Sequence, residues 1–124
     1  MTRSILAAGT AAALSLALAA TALGRGDKPL KLTGSVGPGF TISLKQNGKT
    51  VKSLKAGTYT FVISDKASIH NFVLEREKGG TFEKQLTSVS FKGTKTATIR
   101  LGKGEWKYYC KPHEAGMHGE FNVK

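Results

Sequence analysis

Apolar and polar residues alternate along the chain from Pro29 onward, and no stretch there carries a helical period. Leu30 and Leu32 alternate with Lys31 and Thr33. Phe40, Ile42 and Leu44 alternate with Thr41, Ser43 and Lys45, the pattern of a half-buried strand. Asn47-Gly48 follows, a strong two-residue hairpin signal. Tyr59, Phe61 and Ile63 make one face of a further strand, with Thr58, Thr60 and Val62 opposite. Ile69 to Leu74 is another strand candidate, and Thr87 to Phe91 a short one. Ala97, Ile99 and Leu101 alternate with Thr96, Thr98 and Arg100, ahead of a turn at Gly102-Lys103-Gly104. Trp106, Tyr108 and Cys110 then share a face, and Phe121 and Val123 share the last one. The charged run Glu75 to Lys84, with Gly79-Gly80 inside it, reads as a loop. Trp106, Tyr108, Phe61 and Phe40 read as core residues, and Gly37-Pro38-Gly39 as a turn. About seven to eight short strands with closely spaced turns predict an all-β fold, an antiparallel Greek-key β-sandwich or a barrel.

Residues 1–24 differ in kind. Arg3 is followed by an Ala- and Leu-rich stretch from Ile5 to Leu23 and by small-residue cleavage sites near Ala22 and Gly24. That order predicts a secretory signal peptide over 1–24 and one domain over 25–124. An uncleaved anchor is the competing reading. No Cys stands near the cleavage site, which excludes a lipoprotein. The domain is thus expected outside the cytoplasm, in the periplasm or at the cell surface.

The chain's 124 residues exclude a (β/α)₈ barrel, and its single Cys excludes an internal disulfide scaffold. With only three His, a multicopper oxidase or a large metal cluster is not expected. Lys and Arg number 19 against 8 acids, a net charge of +11. The lysines are spread over most strands and turns. They predict attraction to an acidic redox partner or to an anionic envelope surface. An exported chain without a nucleic-acid motif is not expected to bind nucleic acid.

Beyond residue 24 the only Cys and the only Met lie in one segment, Cys110-Lys111-Pro112-His113-Glu114-Ala115-Gly116-Met117-His118. It follows a strand and carries Pro and Gly, so it reads as a loop. Soft sulfur ligands select copper, and imidazole accepts both its oxidation states. Two His and one Cys in a plane with a weak Met make a blue-copper electron-transfer site. Cys110 and His113 are three residues apart, Met117 returns four later, and His70 can supply the missing ligand from a neighbouring strand. His118 is the alternative to Met117 as fourth ligand. Pro112 has no N–H with which to reach the Cys110 sulfur.

Gly104-Glu105-Trp106-Lys107-Tyr108-Tyr109-Cys110-Lys111-Pro112-His113 resembles the ligand strand and loop of the cupredoxins, in the plastocyanin, pseudoazurin and amicyanin branch. His70-Asn71-Phe72 is similar to the His-Asn pair that carries that family's first ligand. The resemblance covers most of residues 30–124. It implies the sandwich rather than the barrel, one type 1 copper, and one-electron transfer by Cu(I)/Cu(II) cycling in a monomer that is not an enzyme. It implies His70, Cys110 and His113 as equatorial ligands and Met117 as the axial one. Asn71 would tie the ligand strand to the Cys loop by hydrogen bonds. The loop around Gly37-Pro38-Gly39 would lie near the exposed ligand His113 and contribute to docking. The four-residue step from His113 to Met117 departs from plastocyanins, with five, and amicyanins, with three. Two other readings use the same residues differently: an envelope copper carrier or buffer, and a metal-free β-sandwich binding module.

Overall fold

A computed structural model describes residues 28–124. The expected signal peptide lies outside the described residues. Ten strands run in chain order: β1 Leu30–Val36, β2 Ile42–Gln46, β3 Lys49–Thr50, β4 Ser53–Leu54, β5 Gly57–Asp65, β6 Phe72–Lys78, β7 Phe82–Thr87, β8 Gly93–Leu101, β9 Gly104–Tyr109 and β10 His118–Val123. They form two five-stranded sheets, ordered β3-β2-β1-β5-β8 and β4-β10-β9-β6-β7. The expected β-sandwich is present. Most pairings are antiparallel, while β1–β5 and β4–β10 are parallel, so both sheets are mixed. Among the described residues no helix is long and apolar enough to cross a membrane.

The alternation along each strand decides which side chains meet between the sheets. Leu32, Val36, Leu44, Phe61, Ile63 and Leu101 are fully buried from the first sheet. Phe72, Leu74, Trp106 and Phe121 face them from the second. Each such side chain contributes roughly 1.5–3 kcal/mol by leaving water. Trp106 is buried with its indole N–H donating to the Gly102 carbonyl at 2.9 Å, so its polar atom is satisfied. Phe72 and Tyr108 stack with centroids 5.7 Å apart.

The β2–β3 turn follows the sequence expectation. Asn47 and Gly48 have φ of 51° and 78°, the left-handed pair that a tight hairpin requires. The Gly102-Lys103-Gly104 turn is also present, but it carries the chain from one sheet to the other.

Four expectations need correction. Glu75 to Lys84 is not a loop: β6 and β7 pair across it and only Gly79 to Thr81 turns. Its charges sit on a solvated sheet face, and the inward position 76 is filled by Arg76, whose guanidinium lies 5.7 Å over the Trp106 ring and donates to the Lys103 carbonyl. An amphipathic arginine can serve as an inward residue, which hides the period of two. Thr87 to Phe91 is not a strand, since β7 ends at Thr87 and the Phe91 N–H closes a turn on the Ser88 carbonyl. Nor does a strand begin at Ile69. The Asp65 carboxylate accepts from the Ala67 N–H, the His70 N–H donates to the Ala67 carbonyl to close a turn, and β6 starts at Phe72. His70 is therefore a loop residue. Finally, Phe40 is 65% exposed and outside the core, because β2 starts only at Ile42.

Candidate metal centre

Three connections meet at one end of the sandwich: Gly37–Thr41 between β1 and β2, Lys66–Asn71 between β5 and β6, and Cys110–Met117 between β9 and β10. The first two are brought together because β1 and β5 run parallel and finish side by side, Val36 opposite Asp65. Lys66 N–H then donates to the Val36 carbonyl, which fixes one loop against the other. Gly37 has φ of 73°, and a Cβ there would stand 3.2 Å from the His70 ring and 3.1 Å from Ala67. Glycine thus permits both the turn and the close approach.

The third connection is built by its own backbone. Cys110 is the last extended residue, and Lys111–His113 makes one turn of 3₁₀ helix with Pro112 in its first turn. The His113 N–H donates to the Cys110 carbonyl at 3.1 Å, and the Met117 N–H donates to the His113 carbonyl at 2.9 Å. The Cys110 N–H then donates to the Met117 carbonyl at 3.0 Å, closing the loop into a ring. This geometry returns His113 over Cys110 and buries Met117 beneath the loop.

His70, Cys110 and His113 converge. His70 Nδ1 and His113 Nδ1 are 3.1 Å apart, and each lies 3.7 Å from Cys110 Sγ. A triangle with sides of 3.1, 3.7 and 3.7 Å has its centre about 2.0 Å from each corner. First-row metals bind imidazole nitrogen at about 2.0–2.1 Å and thiolate sulfur at about 2.3 Å. Two imidazole nitrogens and a sulfur present three lone-pair sites to one point. A single proton can bridge one pair of them, whereas one soft cation satisfies all three. The three residues, with Met117 nearby, fit one type 1 copper. Among the described residues this is the one cluster of its kind.

His70 and Cys110 are fully buried, and His113 is only partly so. His118 stands apart from the cluster. It is exposed, on the outer sheet face beside Tyr109, with its Nδ1 hydrogen-bonded to the Glu114 carbonyl at 2.8 Å.

Asn71 is buried and joins three elements. Its backbone N–H donates to Cys110 Sγ at 3.4 Å, its Oδ1 accepts from the Lys111 N–H at 2.7 Å, and its Nδ2 donates to Gln85 Oε1 at 3.0 Å. The cross-loop tie that the sequence resemblance implied is present, and Gln85 adds a support from β7 that no sequence signal marked. On the outer side of the loop, Lys107 Nζ pairs with Glu114 at 2.7 Å, and this partner raises the Lys107 pKa. Tyr109 donates its hydroxyl to Glu83 at 2.8 Å; burial and that carboxylate push its pKa well up.

Phe40 is the neighbour that sequence reasoning misplaced. Its ring meets His70 edge-on at 5.4 Å and His113 edge-on at 4.9 Å. The available signal was the Gly37-Pro38-Gly39 turn before it, which displaces Phe40 from the strand alternation onto the loop.

The sequence pattern of the copper binding proteins of the plastocyanin/azurin family matches residues 36–124. No curated protein sequence matches the chain. Among solved structures it is similar to the copper protein rusticyanin, with a TM-score of 0.57 and 18% identity over 78% of each chain. It is similar also to auracyanin A, a "blue" copper protein from the green thermophilic photosynthetic bacterium Chloroflexus aurantiacus, with a TM-score of 0.54 and 18% identity over 78% of this chain and all of that one. A multicopper oxidase from Pediococcus acidilactici shares the fold over 27% of its own length, with a TM-score of 0.50 and 15% identity. With the family pattern covering 36–124 and a His-Cys-His cluster inside it, this chain belongs to the plastocyanin/azurin family of copper binding proteins, the cupredoxins.

Proposed function

We propose that the protein is an exported electron carrier, taking one electron from a donor and passing it to an acceptor. Copper supplies that chemistry by alternating between Cu(I) and Cu(II). His70, Cys110 and His113 would hold it, with Met117, buried beneath the same loop, as a further sulfur donor. The observation that carries this reading is the Nδ1–Sγ–Nδ1 triangle, closed by side chains that the fold holds in place.

Each residue's task follows from its position. The Cys110 thiolate is buried beneath the loop ring, where water cannot reach it. Its one N–H donor is Asn71, and Pro112 offers none. His70 is clamped between the Gly37 turn and the Phe40 ring. The ligands therefore move little between oxidation states, which keeps the reorganisation cost of electron transfer small. His113 is the only one of the three that reaches the surface, so it is the edge through which the electron passes.

No substrate is converted. Among the described residues, His118 is the one His outside the cluster, and it is bonded to a backbone carbonyl. The protein works as a monomer with an acidic redox partner.

Electron self-exchange of the copper-loaded protein, measured by NMR line broadening in mixtures of the two oxidation states, tests the function. Fast exchange without metal loss supports a carrier of electrons. Slow exchange, with copper released readily to an apo acceptor protein, contradicts it and favours copper transport.

A further inference from the structure

The charges of this protein are sorted between the two sheets. All six glutamates lie on the strands of the β4-β10-β9-β6-β7 sheet or on the loop joining β9 to β10. Register places Glu75, Glu83 and Glu120 on its outer face around Lys107. Burial first, and then the nearby carboxylates of Glu120, Glu75 and Glu105, hold the Glu77 carboxyl above its usual range.

The other sheet is the opposite. Its single acid, Asp65, points inward and is 2% exposed. Its outer face is read from the pairings of β1, β2, β5 and β8. Thr33 stands opposite Lys45 and Val62, Lys31 opposite Thr60, Thr60 opposite Thr98, and Thr58 opposite Arg100. The face is therefore a field of hydroxyls that carries Lys31 on the central strand β1, Lys45 on β2 and Arg100 on the edge strand β8, and no carboxylate. Val62 is its only apolar member.

We propose that this β3-β2-β1-β5-β8 face docks the protein on an anionic phospholipid surface. Cations beside such a surface are drawn to it, and Ser and Thr hydroxyls donate to phosphate oxygens. The shape argues for a plane rather than a protein partner. Five strands make a face about 19 Å across, and the nine residues of β5 span about 30 Å. A protein interface of that size centres on buried aromatic or arginine anchors. This face has no aromatic residue, and its arginine is at the margin. Its cations are spread, as the charges of a bilayer are. The glutamate face then turns away from the membrane. The metal end, formed by loops at the ends of the strands, stays open at the side to a redox partner.

The inference does not depend on copper, and its failure leaves the copper reading intact. The test compares two triple variants of equal charge: Lys31→Glu, Lys45→Glu, Arg100→Glu on the docking face, and Lys78→Glu, Lys84→Glu, Lys103→Glu on the glutamate sheet and its turn. Co-sedimentation is measured with phosphatidylglycerol vesicles and with neutral phosphatidylcholine vesicles at physiological ionic strength. The neutral vesicles report any insertion by the N-terminal segment. Urea unfolding confirms that both triples are folded. The expected result is a preference for anionic vesicles that the docking-face triple lowers at least tenfold and the other triple lowers less than threefold. Equal losses in the two triples would reduce the effect to net charge and overturn the proposal. So would the absence of any anionic preference, or binding to soluble polyphosphate without binding to vesicles.

Discussion

The side-chain oxygen of Asn71 accepts a hydrogen bond from the backbone N–H of Lys111 at 2.7 Å, across 40 residues of sequence. Because the Asn71 backbone also donates to Cys110 Sγ, one residue fixes both the sulfur and the start of the His113 turn. Asn71→Ala leaves the Lys111 N–H without its acceptor and Gln85 without its donor. We expect a loss of about 2 kcal/mol in unfolding free energy and faster release of copper to a chelator. Urea titration and chelator kinetics check this. Unchanged values in both would show that the tie has no energetic role.

Phe40 covers the outer edge of both imidazoles while remaining largely exposed itself. A hydrophobic cover excludes water and disfavours the more highly charged Cu(II) form. Phe40→Ala should lower the reduction potential by tens of millivolts, with little change in stability because the side chain buries little surface. Voltammetry reads the first and thermal unfolding the second. A raised potential would contradict this role.

Pro112 begins the 3₁₀ turn beside Cys110 and supplies no N–H. Pro112→Ala introduces a donor at that position. A hydrogen bond to the sulfur lowers its electron donation to Cu(II) and raises the potential. Voltammetry showing an unchanged or lower value would contradict it.

All three tyrosines, Tyr59, Tyr108 and Tyr109, have pKa values raised by burial. The folded protein keeps these protons at a pH where the unfolded chain has lost them. Stability is therefore complete below the unfolded tyrosine pKa of about 10 and falls as pH rises through and above it. Lys107, whose pKa is raised by its pairing with Glu114, loses its contribution in the same direction. Melting temperature followed from neutral to strongly alkaline pH, alongside tyrosinate absorbance, should show unfolding and ionisation together. Tyrosines that ionise freely in the folded state would refute it.

Much of this was legible in the sequence because period-two alternation is a direct imprint of burial. Phe61, Ile63, Trp106 and Phe121 fall where their alternation puts them, and Asn47-Gly48 turns as its composition requires. The convergence of His70, Cys110 and His113 was legible because Cys110 and His113 lie three residues apart after a strand and His70 is followed by Asn71. What stayed hidden depended on partners far away in sequence. Arg76 fills an inward position only because Trp106 and the Lys103 carbonyl await it. The parallel pairings depend on which sheet edge each strand finds. Phe40 looked like part of an alternating strand, and only the fold brings two histidines from other loops beneath its ring. The sorting of charge between sheets likewise becomes visible only once the strand order is known.

The most direct measurement of the central claim is the visible and EPR spectrum of the protein after addition of Cu(II). The convergence of His70 Nδ1, Cys110 Sγ and His113 Nδ1 predicts an intense blue thiolate-to-copper band and a small parallel hyperfine splitting, both abolished by Cys110→Ser. No coloured complex, with the Cys110 thiol of the unfolded protein still fully reactive toward a thiol reagent, would contradict the copper assignment.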